Sequence, residues 1–219
     1  MSDWKYVLFD LDGTITDSSQ GIFRCIEYTL QAAGRPVPEK RILQKFIGPP
    51  LVVGFQENMG MTREEAEWSK NKYRERYQKI GLFEAELYAG IDQVLAMLKR
   101  QGKKISLATS KPEETSIQIL EHFGVLSYFD ETTGATMDGA RDRKEDVIRE
   151  ALRRFHITED QKDQVLMVGD RQMDIFGAKK CGIASLGVYY GFAEPGELEA
   201  AGADYIVQDM EALQQFFAI

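Results

Sequence analysis

Two aspartates lie two residues apart near the start of the chain, where an apolar run gives way to a glycine. Residues 9–17 read Phe-Asp-Leu-Asp-Gly-Thr-Ile-Thr-Asp. Ligands of parallel α/β sheets bind at the carboxyl ends of the strands, so Asp10 and Asp12 are both expected at such a site. Two acidic groups this close repel each other unless a cation or a proton lies between them. The pattern indicates metal-assisted chemistry, with one carboxylate as nucleophile and the other as proton shuttle; an Asx-turn after an edge strand is the alternative.

A second polar pair ends the apolar run of residues 104–108. Thr109 and Ser110 come directly before Lys111 and Pro112, and proline is tolerated in the first turn of a helix. Hydroxyls and free backbone N–H groups at a helix start can form a phosphate cradle. The alternative for this pair is a simple N-cap, which satisfies the helix without binding a ligand.

Two more aspartates follow a third apolar run. Asp170 comes directly after residues 165–169, and Asp174 lies four residues further on, which is one helical turn. Hard cations prefer several oxygen ligands, so these carboxylates can add to the pair near the N-terminus. Lys144 lies in the charged segment 138–146. This context, taken by itself, indicates a solvated lysine at the start of a helix.

Taken together, in this order and at these separations, the segments resemble the haloacid dehalogenase superfamily. The matching pieces are Asp10-Leu11-Asp12-Gly13-Thr14, Thr109-Ser110, Lys144, and Gly169-Asp170-(three residues)-Asp174. The resemblance implies a Rossmann-like core, a Mg²⁺ ion and an aspartyl-phosphate intermediate. Its dehalogenase members lack an acid at the position of Asp12, which favours phosphoryl transfer for this chain.

The resemblance also implies a role for each matching aspartate. Asp10 corresponds to the nucleophile, which also binds the metal. Asp12 corresponds to the general acid/base, and its backbone carbonyl contacts the metal as well. Asp170 corresponds to a further metal ligand, and Asp174 supports it.

The phosphate-binding role falls, by the same resemblance, on Thr109, Ser110 and Lys144. A phosphate monoester dianion repels an anionic nucleophile, so the site needs compensating positive charge, which Mg²⁺ and Lys144 would supply. In the empty enzyme Lys144 is expected to pair with Asp10 or Asp170. The sequence leaves open whether Arg141 or Arg143 helps Lys144 to hold phosphate.

The chain splits after Asp17 into two kinds of pattern. Residues 18–80 are helical in pattern, with a helix over 18–34 and a capping box at Thr62 that starts a helix running to about Ile80. Beyond them, strands alternate with helices, which predicts an α/β fold with a parallel sheet flanked by helices. The predicted strands are 104–109, 165–169, 183–188 and 204–207, and the predicted helices are 91–101, 113–123, 144–156 and 172–181.

We therefore expect a Rossmann-like core formed by residues 1–16 and 86–219, with a helical cap over residues 17–85. Its position after the first motif resembles the superfamily members with a C1-type cap. A cap can close over a phosphate site, exclude water and supply specificity contacts. Three of its residues are candidates for those contacts: Arg24, Lys45 and Gly48. The alternative for the segment around Lys45 is a stiff connection between helices, with solvated basic residues.

Composition limits the partners. The 219 residues carry a formal net charge of −8 and no basic block, which argues against a nucleic-acid partner. With no signal peptide and no apolar stretch near the ~20 residues that span a bilayer, we expect no membrane partner and a cytoplasmic location. Cys25 and Cys181 do not make a disulfide framework and are predicted to be buried. Monomer and homodimer both stay open.

A closer resemblance narrows the substrate. Phe46-Ile47-Gly48-Pro49-Pro50-Leu51, Tyr73-Arg74-Glu75-Arg76-Tyr77 and Ala108-Thr109-Ser110-Lys111-Pro112-Glu113 are similar to the bacterial phosphoglycolate phosphatase-like group, especially its 5′-nucleotidase-type branch. This implies hydrolysis of a small-molecule phosphate ester, with a nucleoside 5′-monophosphate slightly favoured over phosphoglycolate or another sugar phosphate. A phosphomutase or a non-catalytic binding protein on the same fold are the remaining alternatives.

Overall fold

A computed structural model describes residues 4–218 of the chain and divides them into two compact units. The first unit contains residues 4–16 and 87–218, and the second contains Asp17–Glu86. Among residues 4–218, no helix combines the length and the apolar character that crossing a bilayer requires. Cys25 and Cys181 are both buried and form no disulfide, as predicted.

The strands are β1 (Tyr6–Phe9), β2 (Thr16–Asp17), β3 (Glu86–Leu87), β4 (Lys104–Pro112), β5 (Glu131–Ala135), β6 (Val165–Gly169), β7 (Ala184–Val188) and β8 (Tyr205–Val207). The helices are α1 (Ser19–Ala32), α2 (Lys40–Gln44), α3 (Leu51–Met59), α4 (Arg63–Tyr77), α5 (Ile91–Arg100), α6 (Glu113–His122), α7 (Lys144–Arg154), α8 (Gln172–Cys181), α9 (Glu197–Ala201) and α10 (Met210–Phe217). Short 3₁₀ turns connect several of them.

The first unit is built on a sheet of parallel strands in the order β5-β4-β1-β6-β7-β8. Strand β1 lies in its interior, with Leu8 opposite Ser106 of β4 on one side and Met167 of β6 on the other. Val7, Leu8 and Phe9 are fully buried. Both faces of an interior parallel strand are buried, so its successive residues are all apolar, and this explains the apolar run before Asp10.

The α/β fold with a parallel sheet flanked by helices, predicted from the sequence, is confirmed. The sequence-based interpretation missed β5, because Glu-Thr-Thr-Gly-Ala contains no apolar run. Its extended conformation comes from pairing with β4, where Ser106 lies opposite Glu131. Helix ends also shift by a few residues: the helix expected to reach Ile80 ends at Tyr77.

The second unit contains α1 to α4. The predicted capping box at the start of α4 is present: the Thr62 side chain accepts a hydrogen bond from the Glu65 N–H, and the Glu65 carboxylate accepts one from the Thr62 N–H. Two helix-start donors are thereby satisfied, which defines where α4 begins.

Candidate active site

Asp10 directly follows the interior strand β1. Its backbone N–H donates to the Val168 carbonyl of β6 at 2.9 Å, which extends the sheet pairing by one residue. Its Oδ1 atom lies 2.9 Å from Nζ of Lys144, the first residue of α7. Lys144 is only 3% exposed, and its Nζ also donates to the Ala108 carbonyl at 3.0 Å. The solvated position that its own segment indicates is therefore wrong: Lys144 is a buried cation.

A second carboxylate shares this lysine. Oδ1 of Asp174 lies 2.7 Å from Nζ of Lys144, and the other Asp174 oxygen accepts a hydrogen bond from the Arg171 N–H at the start of α8. The sequence predicted Asp10 or Asp170 as the partner, and Asp174 takes the place expected for Asp170. Burial alone would lower the pKa of Lys144, but Asp10 and Asp174 outweigh it and raise that pKa, so the lysine stays charged.

Asp170 is fully buried at the end of β6. Its Oδ2 accepts a hydrogen bond from the Phe192 N–H at 2.8 Å, and its Oδ1 lies 3.3 Å from the donating Thr14 hydroxyl. Gly13 and Gly191 press against this carboxylate so closely that a Cβ on either would overlap it. The sequence-based interpretation missed residues 191 and 192, and the glycine in the loop after β7 was the available signal.

Three carboxylates converge within the first unit. Asp10, Asp170 and Asp174 each offer one oxygen, and these oxygens all lie within 4.8 Å of one another. Burial raises the pKa of Asp170 well above its usual range, and the neighbouring Asp174 and Asp10 raise it further. A bound cation would oppose both effects by stabilising the ionised carboxylates. Buried oxygen donors in this number fit a hard divalent cation such as Mg²⁺.

The Asp12 carboxylate has a different partner. Nζ of Lys111 lies 2.9 Å from Oδ1 and 2.8 Å from Oδ2 of Asp12. The backbone at Asp12 is held by a bridge to Thr16, and Gly13 takes a positive φ of 86° in the turn between them. The sequence-based interpretation did not assign Lys111 a role, although it lies within the Thr-Ser-Lys-Pro segment quoted above.

The phosphate-binding candidates on β4 differ in exposure. Thr109 is buried and Ser110 is exposed. The pairing of β4 with β5 shifts register between Ala108 and Pro112, so the strand is irregular at this point. Thr109 follows Ala108, whose carbonyl accepts from Lys144. Their role in binding phosphate stays a prediction.

Both arginines near Lys144 are paired with protein groups. Arg141 donates to Glu113 at 2.9 Å and, through Nε, to the Gly134 carbonyl at 2.8 Å. Arg143 lies against Asp146 in the first turn of α7, with a contact of 3.1 Å. Arg141 thus ties the loop before Lys144 to the start of α6.

The three specificity candidates occupy different places in the second unit. Arg24, on α1, forms an ion pair of 2.8 Å with Glu84 and lines a cavity of about 400 Å³ within this unit. Lys45 and Gly48 are exposed after α2 and are not among the residues that line that cavity. Gly48 has a φ of 101°, which favours glycine for conformational reasons alone.

Gly169 is required by the packing of the acidic cluster. A Cβ at Gly169 would overlap the carboxylate of Asp174, and both residues are buried. We expect Gly169→Ala to lower the free energy of unfolding by about 1–3 kcal/mol, the usual cost of overpacking, and to lower activity by displacing Asp174. Urea denaturation and phosphate release measure the two effects. Unchanged stability and activity in this variant would contradict the described packing.

Comparison with known proteins assigns the chain to a family. Residues 7–188 match the model of the haloacid dehalogenase-like hydrolases. The chain belongs to this family. The family resemblance seen in the sequence is confirmed, and so is the enzyme class, a haloacid dehalogenase-type phosphatase.

Several known proteins are similar to the chain over most of its length. A 5′-nucleotidase from Pseudomonas aeruginosa is 37% identical over 95% of this chain and 93% of that protein. The tyrosine-protein kinase PtkA from Mycobacterium tuberculosis is 38% identical over 86% of this chain, and the match spans 63% of PtkA. The crystal structure of a predicted phosphatase from Clostridium acetobutylicum has a TM-score of 0.90 and 42% identity, over 98% of each chain.

Proposed function

We propose that this protein is a Mg²⁺-dependent phosphomonoester hydrolase that works through an aspartyl-phosphate on Asp10. The observation that carries the proposal is the division of the two N-terminal aspartates between two lysines. Asp10 lies against Lys144 in the acidic cluster, whereas Asp12 lies against Lys111. One strand end therefore presents two carboxylates in different surroundings, which a nucleophile and a proton shuttle require.

The reaction takes two steps. In the first, a carboxylate oxygen of Asp10 attacks phosphorus, the bond between phosphorus and the ester oxygen breaks, and Asp12 gives its proton to the leaving alcohol. In the second, the ionised Asp12 removes a proton from water. The water oxygen attacks phosphorus, the bond to Asp10 breaks, and inorganic phosphate is released with both aspartates restored.

Positive charge near Asp10 lets two anions approach each other. Lys144 is buried beside the nucleophile and stays charged, so its field acts on the phosphate oxygens with little screening. Asp10, Asp170 and the Asp12 backbone carbonyl, with Asp174 in support, would hold Mg²⁺. When bound, the ion supplies additional positive charge for the phosphate oxygens. Thr109 and Ser110 would complete the phosphate site.

A nucleoside 5′-monophosphate is the proposed substrate. The similarity to the 5′-nucleotidase covers both units of this chain, so it includes the segment 17–85, which we propose as the cap that sets specificity. Arg24 is the candidate there with a cavity beside it. Phosphoglycolate or another sugar phosphate is the alternative substrate. The cytoplasmic location and the choice between monomer and homodimer stay predictions.

Phosphate release from a panel of esters tests the proposal. The panel contains p-nitrophenyl phosphate, nucleoside 5′-monophosphates, phosphoglycolate and sugar phosphates, each assayed with Mg²⁺ and with EDTA. We expect Mg²⁺-dependent release, fastest from a nucleotide. Fastest release from phosphoglycolate would overturn the substrate assignment alone. A folded protein that releases phosphate from no ester would overturn the hydrolase assignment.

The Asp12→Asn variant tests the proton shuttle. It leaves Asp10 and Lys144 in place, so attack on phosphorus is retained while proton transfer is lost. We expect turnover to fall by ~10²–10⁴-fold, the usual contribution of general acid–base catalysis. Steady-state phosphate release measures this effect. Turnover within a few-fold of the unsubstituted protein would remove Asp12 from the mechanism.

A further inference from the structure

Lys111 is nearly buried beside a group that the proposed reaction needs. Its side chain is 9% exposed, and that of Asp12 is 22% exposed. Burying a lysine is unfavourable unless it is paired, so this contact compensates a real desolvation cost. A single ammonium within 2.9 Å of both carboxylate oxygens also restricts rotation of the carboxylate. Lys111 therefore constrains the orientation of the Asp12 carboxylate.

The backbone that carries Lys111 is itself held in place. Its N–H donates to the Thr109 hydroxyl at 3.3 Å, within the irregular part of β4. Its carbonyl packs against β5, because a Cβ on Gly134 would lie 2.7 Å from that oxygen. Pro112 follows with its fixed φ. The side chain thus extends toward Asp12 from a well-supported position.

We propose that Lys111 is a positioning residue, which orients the Asp12 carboxylate for proton transfer to the leaving-group oxygen. This inference rests on the proposed function, in which Asp12 carries the proton. When Asp12 is protonated, one carboxylate oxygen bears hydrogen and faces the ester oxygen. The other oxygen keeps its contact with Nζ of Lys111, so the plane of the group is maintained during the transfer.

This role predicts a dependence on the leaving group. Phenolate is more basic than p-nitrophenolate and so depends more on receiving a proton as it leaves. In Lys111→Met, we expect kcat/KM for phenyl phosphate to fall about 10- to 100-fold, the effect of misplacing a reacting group by about 1 Å. We expect a clearly smaller fall for p-nitrophenyl phosphate. The value of kcat/KM is the right quantity, because it reports the steps up to transfer of phosphate to Asp10.

Three further variants separate positioning from a structural role. Lys111→Arg keeps a cation and should recover part of the loss, whereas Lys111→Gln keeps a donor without charge and should not. Lys111→Gln also serves if Lys111→Met fails to fold. Adding Lys111→Met to Asp12→Asn should cause no further loss, because both changes act on the same proton transfer.

The matched control is Lys5→Met, at an exposed lysine of the same unit. It should leave kcat/KM for both esters unchanged.

The outcomes distinguish this inference from the proposed function. Equal losses with the two esters, or an additional loss in the Asp12→Asn background, would mean that Lys111 binds phosphate or holds the fold, and would overturn the inference. The proposed function stands even if this inference fails, provided that the unsubstituted protein hydrolyses both esters and Asp10→Asn hydrolyses neither. If the unsubstituted protein hydrolyses neither ester, the proposed function itself fails.

Discussion

The Asp10→Asn variant is expected to lose phosphatase turnover by roughly 10⁴-fold or more while keeping its fold, as removal of a catalytic nucleophile does. An amide is nearly isosteric with a carboxylate, so packing at the end of β1 is retained. It lacks the anionic oxygen that attacks phosphorus. The change removes one of the mutually repelling negative charges of the acidic cluster, and Lys144 keeps its ion pair with Asp174, so we expect the fold to be retained. Phosphate release and thermal unfolding measure the two effects.

Asp160→Asn is the matched control for this variant. It makes the same chemical change at an exposed residue of a 3₁₀ turn and should leave turnover unchanged. A covalent phosphoenzyme, trapped by rapid acid quenching, should form in the unsubstituted protein and be absent from Asp10→Asn. Near-normal activity in Asp10→Asn would contradict the whole covalent mechanism.

The Lys144→Met variant is expected to lose both activity and stability. Lys144 is the buried cation that contacts Asp10 and Asp174, so its removal leaves those carboxylates without their paired charge. Breaking a buried pair in this way costs about 3–5 kcal/mol, a large part of the stability of an ordinary domain. Turnover should fall by at least ~10²-fold, because charge stabilisation next to the nucleophile is lost. Urea denaturation with and without Mg²⁺ measures the stability.

Added Mg²⁺ should restore stability to Lys144→Met more than it stabilises the unsubstituted protein. A ligand that binds only the folded state stabilises it according to its affinity, and removal of a cation from the cluster strengthens the attraction for another. Lys162→Met is the matched control: its ion pair with Glu159 is 2.7 Å long, like that of Lys144 with Asp174, but the Glu159 side chain is 88% exposed. That variant should lose only about 0–1 kcal/mol. Equal stability of the two variants would contradict a structural charge role for Lys144.

The strands β1 and β6 and the main acidic residues could be anticipated because their signals are local. An apolar run followed by aspartate marks the end of a buried parallel strand, and this holds for β1 and for β6. The carboxyl ends of such strands share one edge of the sheet, so Asp10 and Asp170 were expected to meet. Asp174 could be added because one helical turn returns a side chain to the same face.

The partners of Lys111 and the burial and partners of Lys144 could not be fully predicted, because they depend on contacts between distant segments. Lys111 lies 99 positions from Asp12, and no residue near Lys111 in the sequence indicates that it contacts Asp12. Burial of Lys144 could not be read from the charged segment around it, since that segment looks like a solvated helix start. The choice of Asp174 over Asp170 as the second partner of Lys144 depends on Thr14 and the Phe192 N–H, which already bind the Asp170 oxygens.

The interior position of β1 has a consequence for how the protein is made. Leu8 pairs with residues that lie 98 and 159 positions further along the chain. At ordinary translation rates the second partner strand emerges roughly 8–32 s after β1, so the apolar strand lacks its neighbours during most of synthesis. Pairing over such separations is slow, and an unpaired apolar strand is prone to associate with other chains. We therefore expect nascent chains to depend on holding chaperones until β6 has been made, and to gain a positioned nucleophile only then.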